Sequence, residues 1–483
     1  MEPTRVEVAY CEGWDAAAHA AFRPLKEQTA RERHEAGQRY AVLLSVDAEP
    51  RALVQVDAGA GYVGVFGFDL AGRRALKFSY RDLGDHLMLR ELKAWRHADD
   101  DEPEFGADLR ITFRFWPDDP VRTALDDARR GHFTAYANLP TPLHRIPPLE
   151  FGRWPVDGWL LGAFEPLEFV TAPDPEVAAT GRFRPLWSAP EPAKPIALEA
   201  LFIPGARIRS GSGEVFTVGT PREVGRLRVT TGRVVAADPA TVELDGDLAT
   251  APYTVAAPAG VHVVETAGVW PEGRAGGQGA VAGAGAGSGT GAGAAAGRSD
   301  VGGRSRETVA AARLRISEAP TVTWELALRP GQDPRLLGAS EYFGFTVDSG
   351  TAAFLDAGAT EALAAYQDAD DAEDAEAAIP RGEAGAGLLT YPAGKGDGSY
   401  PVWIGRDAEG AVTCFVADMR LLGRGVEVLE PAGVRAAAQV AGVAELPVRE
   451  PVRAEAFSSQ KILEFFNDTT DAQAEFWARR MGH

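Results

Sequence analysis

The chain has 483 residues, of which 45% are hydrophobic and 24% charged, as in an ordinary folded protein of about two to four domains. Its 69 acidic and 49 basic side chains give a net charge of −20, which disfavours binding to nucleic acid or to an anionic membrane. The only two cysteines, Cys11 and Cys414, exclude a disulfide framework and a cysteine-rich metal site. Neither a signal-peptide pattern nor a membrane-length apolar run is present, so we expect a cytoplasmic protein.

Residues 1–190 predict an α+β domain of unrecognised type. An Ala-rich helix is expected over Trp14–Gly37, because Gly37 stands where helices commonly end. A second helix is expected from Asp119 to about Gly131, with Pro120 at its first position. Between the two helices, apolar and alternating patterns predict a series of strands at Tyr40–Val46, Ala52–Val56, Tyr62–Phe68, Ala75–Tyr80 and Leu109–Phe115.

The Pro-rich segment 189–195 marks a domain boundary, since proline removes a backbone donor and interrupts helices and central strands. Residues 196–430 predict a second, β-rich domain of short and mainly antiparallel strands with few helices. One helix is expected, at Thr360–Asp370. The strands expected here are Leu227–Asp238, Tyr253–Val255, Val261–Glu265, Ala311–Ile316, Val322–Leu328, Tyr342–Val347 and Thr413–Leu422.

Two segments of unusual composition interrupt this second domain. Residues 276–297 contain 10 Gly and 8 Ala, and such a sequence has almost no side chains to bury. Strand patterns flank it, so we expect a flexible insertion at 274–305 that extends a hairpin. Residues 368–376 are mostly Asp and Glu; their spacing does not fit a calcium-binding EF-hand loop, which favours a solvated acidic loop.

The C-terminal segment, residues 455–483, predicts a helical tail. Its aromatic residues give the tail an apolar side that we expect to dock on this chain or on a partner. These residues are Phe465, Phe466, Phe476 and Trp477.

Common catalytic and cofactor motifs are absent or incomplete. The GxGxxG string at residues 59–64 is followed by strand-like residues, whereas a dinucleotide site needs a helix there. The GKG sequence at 394–396 departs from a phosphate-binding loop, because Lys395 is followed by glycine. His34-Glu35 lacks the second histidine of a zinc protease motif, and no GxSxG motif occurs. We therefore predict neither a cofactor nor a metal.

Several segments of the second domain, over about 200–425, form a recognisable series. They are GRVVAADP at 232–239, PY at 252–253, PAGVHVV at 258–264, RLRI at 313–316, WELAL at 324–328, FGFTVDSGT at 343–351, FLD at 354–356, GDGSYPVWIGR at 396–406, Gly410 and CFVAD at 414–418. This series resembles an uncharacterised bacterial family, DUF4241. The resemblance implies a shared β-rich fold. It implies no catalytic role, because no activity of the family is established.

Four carboxylates in the matching segments are the candidate catalytic residues if the protein is an enzyme. They are Asp348, Asp356, Asp397 and Asp418. Gathered in one cleft, such groups would suit general acid–base chemistry or a magnesium site. The alternative is that each aspartate stabilises a turn at a strand end. Tyr400 and Trp403 either line such a cleft, as binding residues, or pack the turns.

The sequence leaves three hypotheses for function. The preferred one is a non-catalytic protein-binding module, because an acidic surface suits a basic protein partner. The first alternative is a carboxylate-based hydrolase or metal-dependent enzyme with a cleft around Asp348, Asp397 and Trp403. The second is a structural component of a larger assembly, including a homo-oligomer.

Overall fold

The computed structural model describes residues 2–69, 71–97, 104–105, 109–116, 121–127, 131–137, 145–163, 166–244, 250–272, 307–369, 386–423 and 426–430. These residues fall into two units. Unit 1 takes those within Met1–Pro192 and Arg335–Ser340, and unit 2 takes those within Ala193–Pro334 and Glu341–Glu445. The predicted insertion at 274–305, the tail at 455–483 and residues 370–376 of the acidic segment lie outside the described residues.

Unit 1 is built on one mainly antiparallel sheet with a single described α-helix. Its elements are β1 (Thr4–Asp15), β2 (Ala20–Leu25), α1 (Glu27–Glu35), β3 (Tyr40–Val46), β4 (Glu49–Asp57), β5 (Tyr62–Phe68), β6 (Arg74–Asp82), β7 (Leu87–Arg96), β8 (Leu109–Arg114), β9 (Val121–Asp127), β10 (Gly131–Ala137), β11 (Arg145–Ile146) and β12 (Leu167–Thr171). Neighbours in sequence pair from β3 to β10. β1 lies between β3 and β12, and its pairing with β12 is parallel.

The sheet of unit 1 is buried on both faces over its central strands. Successive side chains of a strand point to opposite faces. Tyr40, Val42 and Leu44 of β3 therefore pack in one core, whereas Ala41 and Leu43 pack in a second core on the opposite face. This arrangement explains why the strand is apolar at consecutive positions instead of alternating.

Unit 2 contains a larger sheet and a three-stranded sheet. Its elements are β13 (Arg207–Arg209), β14 (Val215–Val218), β15 (Arg222–Val229), β16 (Val234–Ala237), β17 (Gly260–Pro271), β18 (Thr308–Arg315), β19 (Thr323–Leu326), β20 (Gly344–Val347), β21 (Thr351–Asp356), α2 (Thr360–Gln367), β22 (Leu388–Pro392), β23 (Gly398–Arg406), β24 (Val412–Asp418) and β25 (Glu427–Glu430). The small sheet has the order β16-β21-β22. The larger sheet runs β19-β23-β24-β18-β17-β14-β13-β25, with β15 paired to β17 and β20 paired to β23.

The described residues are rich in strands and contain few helices, as the sequence predicted. The strands on either side of the Gly/Ala segment pair in antiparallel register, with Val269 opposite Thr308, so they form the two arms of a hairpin. The expected helix at 360–370 is present as α2. A strand rather than a helix follows the GxGxxG string, as predicted, because Tyr62 begins β5.

Four predicted elements were wrong. The single strand expected at Leu227–Asp238 is interrupted at residues 230–233 and belongs to two strands, β15 and β16, in different sheets. The expected helix at 119–131 is strand β9, which pairs with β8 on one side and β10 on the other, so sheet pairing overrides local propensity. Of the expected helix at 14–37, only Glu27–Glu35 is helical. Pro24 lies in β2, which pairs with β1, and proline cannot continue a helix interior. Residues 253–255 form no strand, because the Tyr253 N–H donates to the Val234 carbonyl and the Thr254 N–H to the Leu328 carbonyl, so no ladder with one partner strand forms.

Candidate functional site

Two turns in unit 2 lie side by side at the end of β20 and β23. The first, at residues 348–350, follows β20, and the second, at residues 393–397, leads into β23. Val347 is paired with Gly398, so the antiparallel register brings Asp348 and Asp397 to the same strand end. The sequence predicted turns at both aspartates. The pairing shows why two positions that are distant in sequence share one surface.

The carboxylate of Asp238 holds the first turn in place. Its Oδ2 accepts hydrogen bonds from the backbone N–H groups of Asp348 and Ser349, both at 2.8 Å. Its Oδ1 accepts from the Ser349 hydroxyl at 2.8 Å and from the Ala240 N–H at 2.9 Å. Asp238 is only 2% exposed, so these four bonds replace the solvation of a buried charge. The first turn is therefore anchored by a fully engaged carboxylate.

The side chain of Tyr400 holds the second turn. Its hydroxyl lies 2.7 Å from the Gly396 carbonyl and 3.0 Å from the Ala393 carbonyl, to which it donates. The Ala393 N–H also donates to the Gly350 carbonyl at 3.0 Å and joins the two turns. Burial, together with the charge of Asp397, raises the pKa of Tyr400, so its hydroxyl keeps its proton at neutral pH.

The side chains of Asp348 and Asp397 are exposed on these anchored turns. Neither carboxylate forms an ion pair with any residue that the structure describes. We call these two residues the acidic turn pair. Within the described ranges no three acidic, histidine or cysteine side chains are grouped to hold a metal ion. Two exposed carboxylates can instead attract the ammonium or guanidinium groups of a basic partner.

Asp356 lies at the opposite end of β21, away from the acidic turn pair. Its carboxylate accepts from the Thr230 hydroxyl at 2.7 Å, from the Thr231 hydroxyl at 2.6 Å and from the Thr231 N–H at 3.1 Å. Burial alone would raise the pKa of Asp356, but the hydrogen bonds from Thr231, Thr230 and Gly358 outweigh it and lower the pKa. Asp356 thus stabilises the turn between β15 and β16.

Asp418 ends β24 and accepts a hydrogen bond from the Arg420 N–H at 2.8 Å. Burial raises the pKa of Asp418, against the opposing effect of Arg420. Trp403 is 2% exposed and packs in a core with Trp324 and Cys414, and Tyr400 is 5% exposed. The burial of both rings favours packing over lining a cleft. The four tail aromatics predicted as binding residues, Phe465, Phe466, Phe476 and Trp477, lie outside the described residues.

A cavity of about 250 Å³ lies elsewhere in unit 2 and is lined partly by Trp324 and Cys414. Its charged groups already have partners. Arg313 is 2.6 Å from Glu265, Arg315 is 3.3 Å from Glu318, and the Trp324 indole N–H donates to Glu199. The cavity consequently offers no unpaired charge to a ligand.

Both cysteine thiols are buried, which predicts that they are unreactive in the folded protein. Burial raises the pKa of Cys11 to about 12 and also raises the pKa of Cys414. Because the thiolate is the reactive form, we expect neither thiol to be alkylated by iodoacetamide at pH 8 until urea unfolds the chain. Mass spectrometry of native and unfolded samples measures this. Rapid native labelling of Cys414 would contradict the burial.

Asp238, which anchors the first turn, is a residue of the candidate site that the sequence did not single out. It stands in the segment that resembles the family, followed by Pro239, but only as part of a strand. An aspartate followed by proline at a strand end signals a turn. Its main partners, Asp348 and Ser349, are 110 and 111 residues away, so no local pattern identifies them.

Part of unit 2 matches a known family model. Residues 293–417 match the DUF4241 family, described as a protein of unknown function, which confirms the resemblance over those residues. They include both members of the acidic turn pair. No curated protein matches the chain, and no solved structure matches it either. Neither described helix is long and apolar enough to cross a membrane.

Proposed function

We propose that this chain is a non-catalytic module that binds a basic protein partner. The family that residues 293–417 match has no established activity, so the proposal rests on the structure of this chain. The observation that carries the proposal is the acidic turn pair. Asp348 and Asp397 are exposed on turns whose backbones Asp238 and Tyr400 anchor. Because the turn backbones are already ordered, binding costs little further backbone entropy, and the two charges favour recognition of lysine or arginine side chains.

The contacts of the other two carboxylates favour this proposal over a hydrolase. General acid–base catalysis needs a carboxylate that can reach a substrate and exchange a proton with it. Asp356 is 2% exposed and already accepts hydrogen bonds from Thr230 and Thr231. Asp418 lies at the end of a different strand, where it binds the Arg420 N–H. These two carboxylates stabilise turns, so neither is placed to act as a catalytic acid or base.

A cytoplasmic location is part of this proposal, whereas a structural component of a larger assembly is its alternative. A binding module of this kind acts through its partner, and a second copy of the chain is one alternative partner. The mass measured by size-exclusion chromatography with light scattering separates a monomer from a homo-oligomer. A stable oligomer without any basic partner would favour the structural hypothesis.

The test removes the two charges and keeps the turns. We expect the double variant Asp348→Asn/Asp397→Asn to lower the recovery of basic partners from a native-host lysate by about tenfold, because electrostatic steering is lost. The matched control Glu214→Gln/Glu409→Gln removes two exposed carboxylates of unit 2 at other sites. Quantitative mass spectrometry of the bound proteins, at low and high salt, provides the measurement.

A variant lacking residues 455–483 distinguishes binding through the acidic turn pair from binding through the predicted tail. If tail deletion alone abolishes partner recovery while Asp348→Asn/Asp397→Asn has no effect, binding depends on the tail and the role of the acidic turn pair is wrong. Equal recovery by the wild type, both double variants and the tail deletion would reject the interaction function itself.

A further inference from the structure

A cleft in unit 1 has a charge character opposite to that of the whole chain. It lies between the turn that joins α1 to β3 and the loop that follows β12, and its volume is about 720 Å³. Three arginines and one carboxylate line it, together with the ring of Phe183: Arg33, Arg39, Arg182 and Asp57. We call it the arginine cleft. In a chain of net charge −20, this concentration of guanidinium groups favours an anionic ligand.

Two of the arginines keep hydrogen-bond donors for a ligand. Arg33 is engaged, since its Nη2 lies 2.8 Å from the buried Glu12. Arg39 uses its Nε to bind Asp57 at 2.6 Å, and its two terminal amino groups have no partner among the described residues. Arg182 is exposed and forms no ion pair or side-chain hydrogen bond within the described ranges. The guanidinium fork of arginine binds carboxylate and phosphate groups in a bidentate manner.

The loop that carries Arg182 is fixed to the body of unit 1. The carboxylate of Glu12 accepts from the Arg184 N–H at 2.9 Å, and the Glu12 carbonyl accepts from the Trp187 indole N–H at 2.8 Å. Arg33 contacts the Gly181 carbonyl at 3.4 Å. These bonds hold both ends of the loop, so the position of Arg182 is preorganised.

The opposite wall is also closely packed. The Gly59 N–H donates to the Gly37 carbonyl at 2.9 Å, and a Cβ atom on Gly59 would lie 2.6 Å from that oxygen. Only glycine therefore fits at position 59. The side chain of Asp57 accepts from the Ala60 N–H at 3.2 Å and fixes the carboxylate that orients Arg39. Both walls of the arginine cleft are thus formed before a ligand binds.

We propose that the arginine cleft binds a small organic anion, with its carboxylate or phosphate group on Arg182 and Arg39 and its apolar part on the ring of Phe183. The volume of about 720 Å³ lies within the range of roughly 300–1,000 Å³ of small-molecule sites. Phe183 packs edge-on against Trp187, with ring centroids 5.7 Å apart, which holds the ring in place for a ligand.

The experiment measures binding of four small probes to the full chain by isothermal titration calorimetry. The probes are 3-phenylpropionate, phenyl phosphate, inorganic phosphate and the neutral 3-phenylpropionamide. We expect saturable binding of a phenyl anion that weakens with added salt, and no binding of the neutral amide. Comparison of 3-phenylpropionate with phenyl phosphate distinguishes a carboxylate ligand from a phosphate ligand. Inorganic phosphate has no apolar part, so we expect it to bind more weakly than phenyl phosphate.

Two charge-matched variants assign the binding to the cleft. Arg182→Gln should weaken the binding of the phenyl anion by about tenfold or more, because a charged hydrogen-bond donor is lost. Arg5→Gln removes an exposed arginine of β1 that is outside the cleft and should leave the affinity unchanged. Circular dichroism checks that both variants fold. The proposal is overturned if no probe binds at millimolar concentration, if the neutral amide binds equally well, or if both variants bind like the wild type.

Discussion

We expect Glu12→Ala to lower the free energy of unfolding of unit 1 by about 3–5 kcal/mol, because the variant leaves a buried guanidinium without its counter-charge. Glu12 is fully buried and binds Arg33 and Arg23, each at 2.8 Å. Arg33 is also buried, whereas the side chain of Arg23 is 30% exposed and can be solvated. The loss of stability in Glu12→Ala therefore comes mainly from Arg33, whose buried charge has lost its partner. Urea unfolding, with hydrogen exchange of β1 and α1 as the local measure, tests this expectation.

A double variant separates the orphaned charge from other effects of the substitution. Glu12→Leu/Arg33→Met removes both charges of the buried pair, so we expect it to be more stable than Glu12→Ala. Glu168→Gln, at an exposed position of β12, is the control for loss of one negative charge and should change stability by less than about 0.5 kcal/mol. If the double variant is as unstable as Glu12→Ala, the buried pair is not the cause.

The same cluster links stability to the arginine cleft. Glu12 holds the loop at Arg184 and at Trp187 through two different oxygen atoms. Substitution of its side chain removes the bond to Arg184 and keeps the backbone bond to Trp187. We therefore infer that Glu12 positions the loop of Arg182, in addition to compensating Arg33.

The strands of this fold were largely predictable, and the errors have identifiable causes. The apolar segment 40–46 predicted β3, since a strand buried on both faces is apolar at consecutive positions. The helices were harder to predict. Residues 121–127 contain good helix formers, but strands on both sides supply backbone partners that a local pattern does not show. In β2, Pro24 was a local signal against a helix interior.

The candidate site was predictable only in its local part. Asp348 and Asp397 were expected at turns because Asp and Gly favour them, and both lie in turns. The sequence gives no local signal that Val347 pairs with Gly398, or that Asp238 anchors the turn of Asp348. The arginine cleft was missed for the same reason, since Arg33 and Gly181 are 148 residues apart. Long-range pairing brings these groups together.

We expect Asp356→Asn to lower the free energy of unfolding of unit 2 by about 1–3 kcal/mol at pH 7, because a buried backbone donor loses its acceptor. The carboxylate accepts hydrogen bonds from Thr231 N–H at 3.1 Å and from Gly358 N–H at 3.3 Å. An asparagine amide presents one oxygen instead of two, and its NH2 group cannot accept from a backbone N–H. Asp407→Asn, at a more exposed turn of the same unit, is the matched control and should have a smaller effect.

The stability difference between the wild type and Asp356→Asn should depend on pH, in a direction set by the pKa of Asp356. The folded-state pKa of Asp356 is lowered, so its contribution to stability is fully present above the unfolded-state value of about 4 and is lost as pH falls through the folded value. Asp418 has a raised pKa and acts in the opposite direction, but it is common to both proteins. The stability difference between wild type and Asp356→Asn should therefore shrink from pH 6 towards pH 3. A difference that stays constant over this range would contradict a lowered pKa, since the charge of Asp356 would then stabilise nothing.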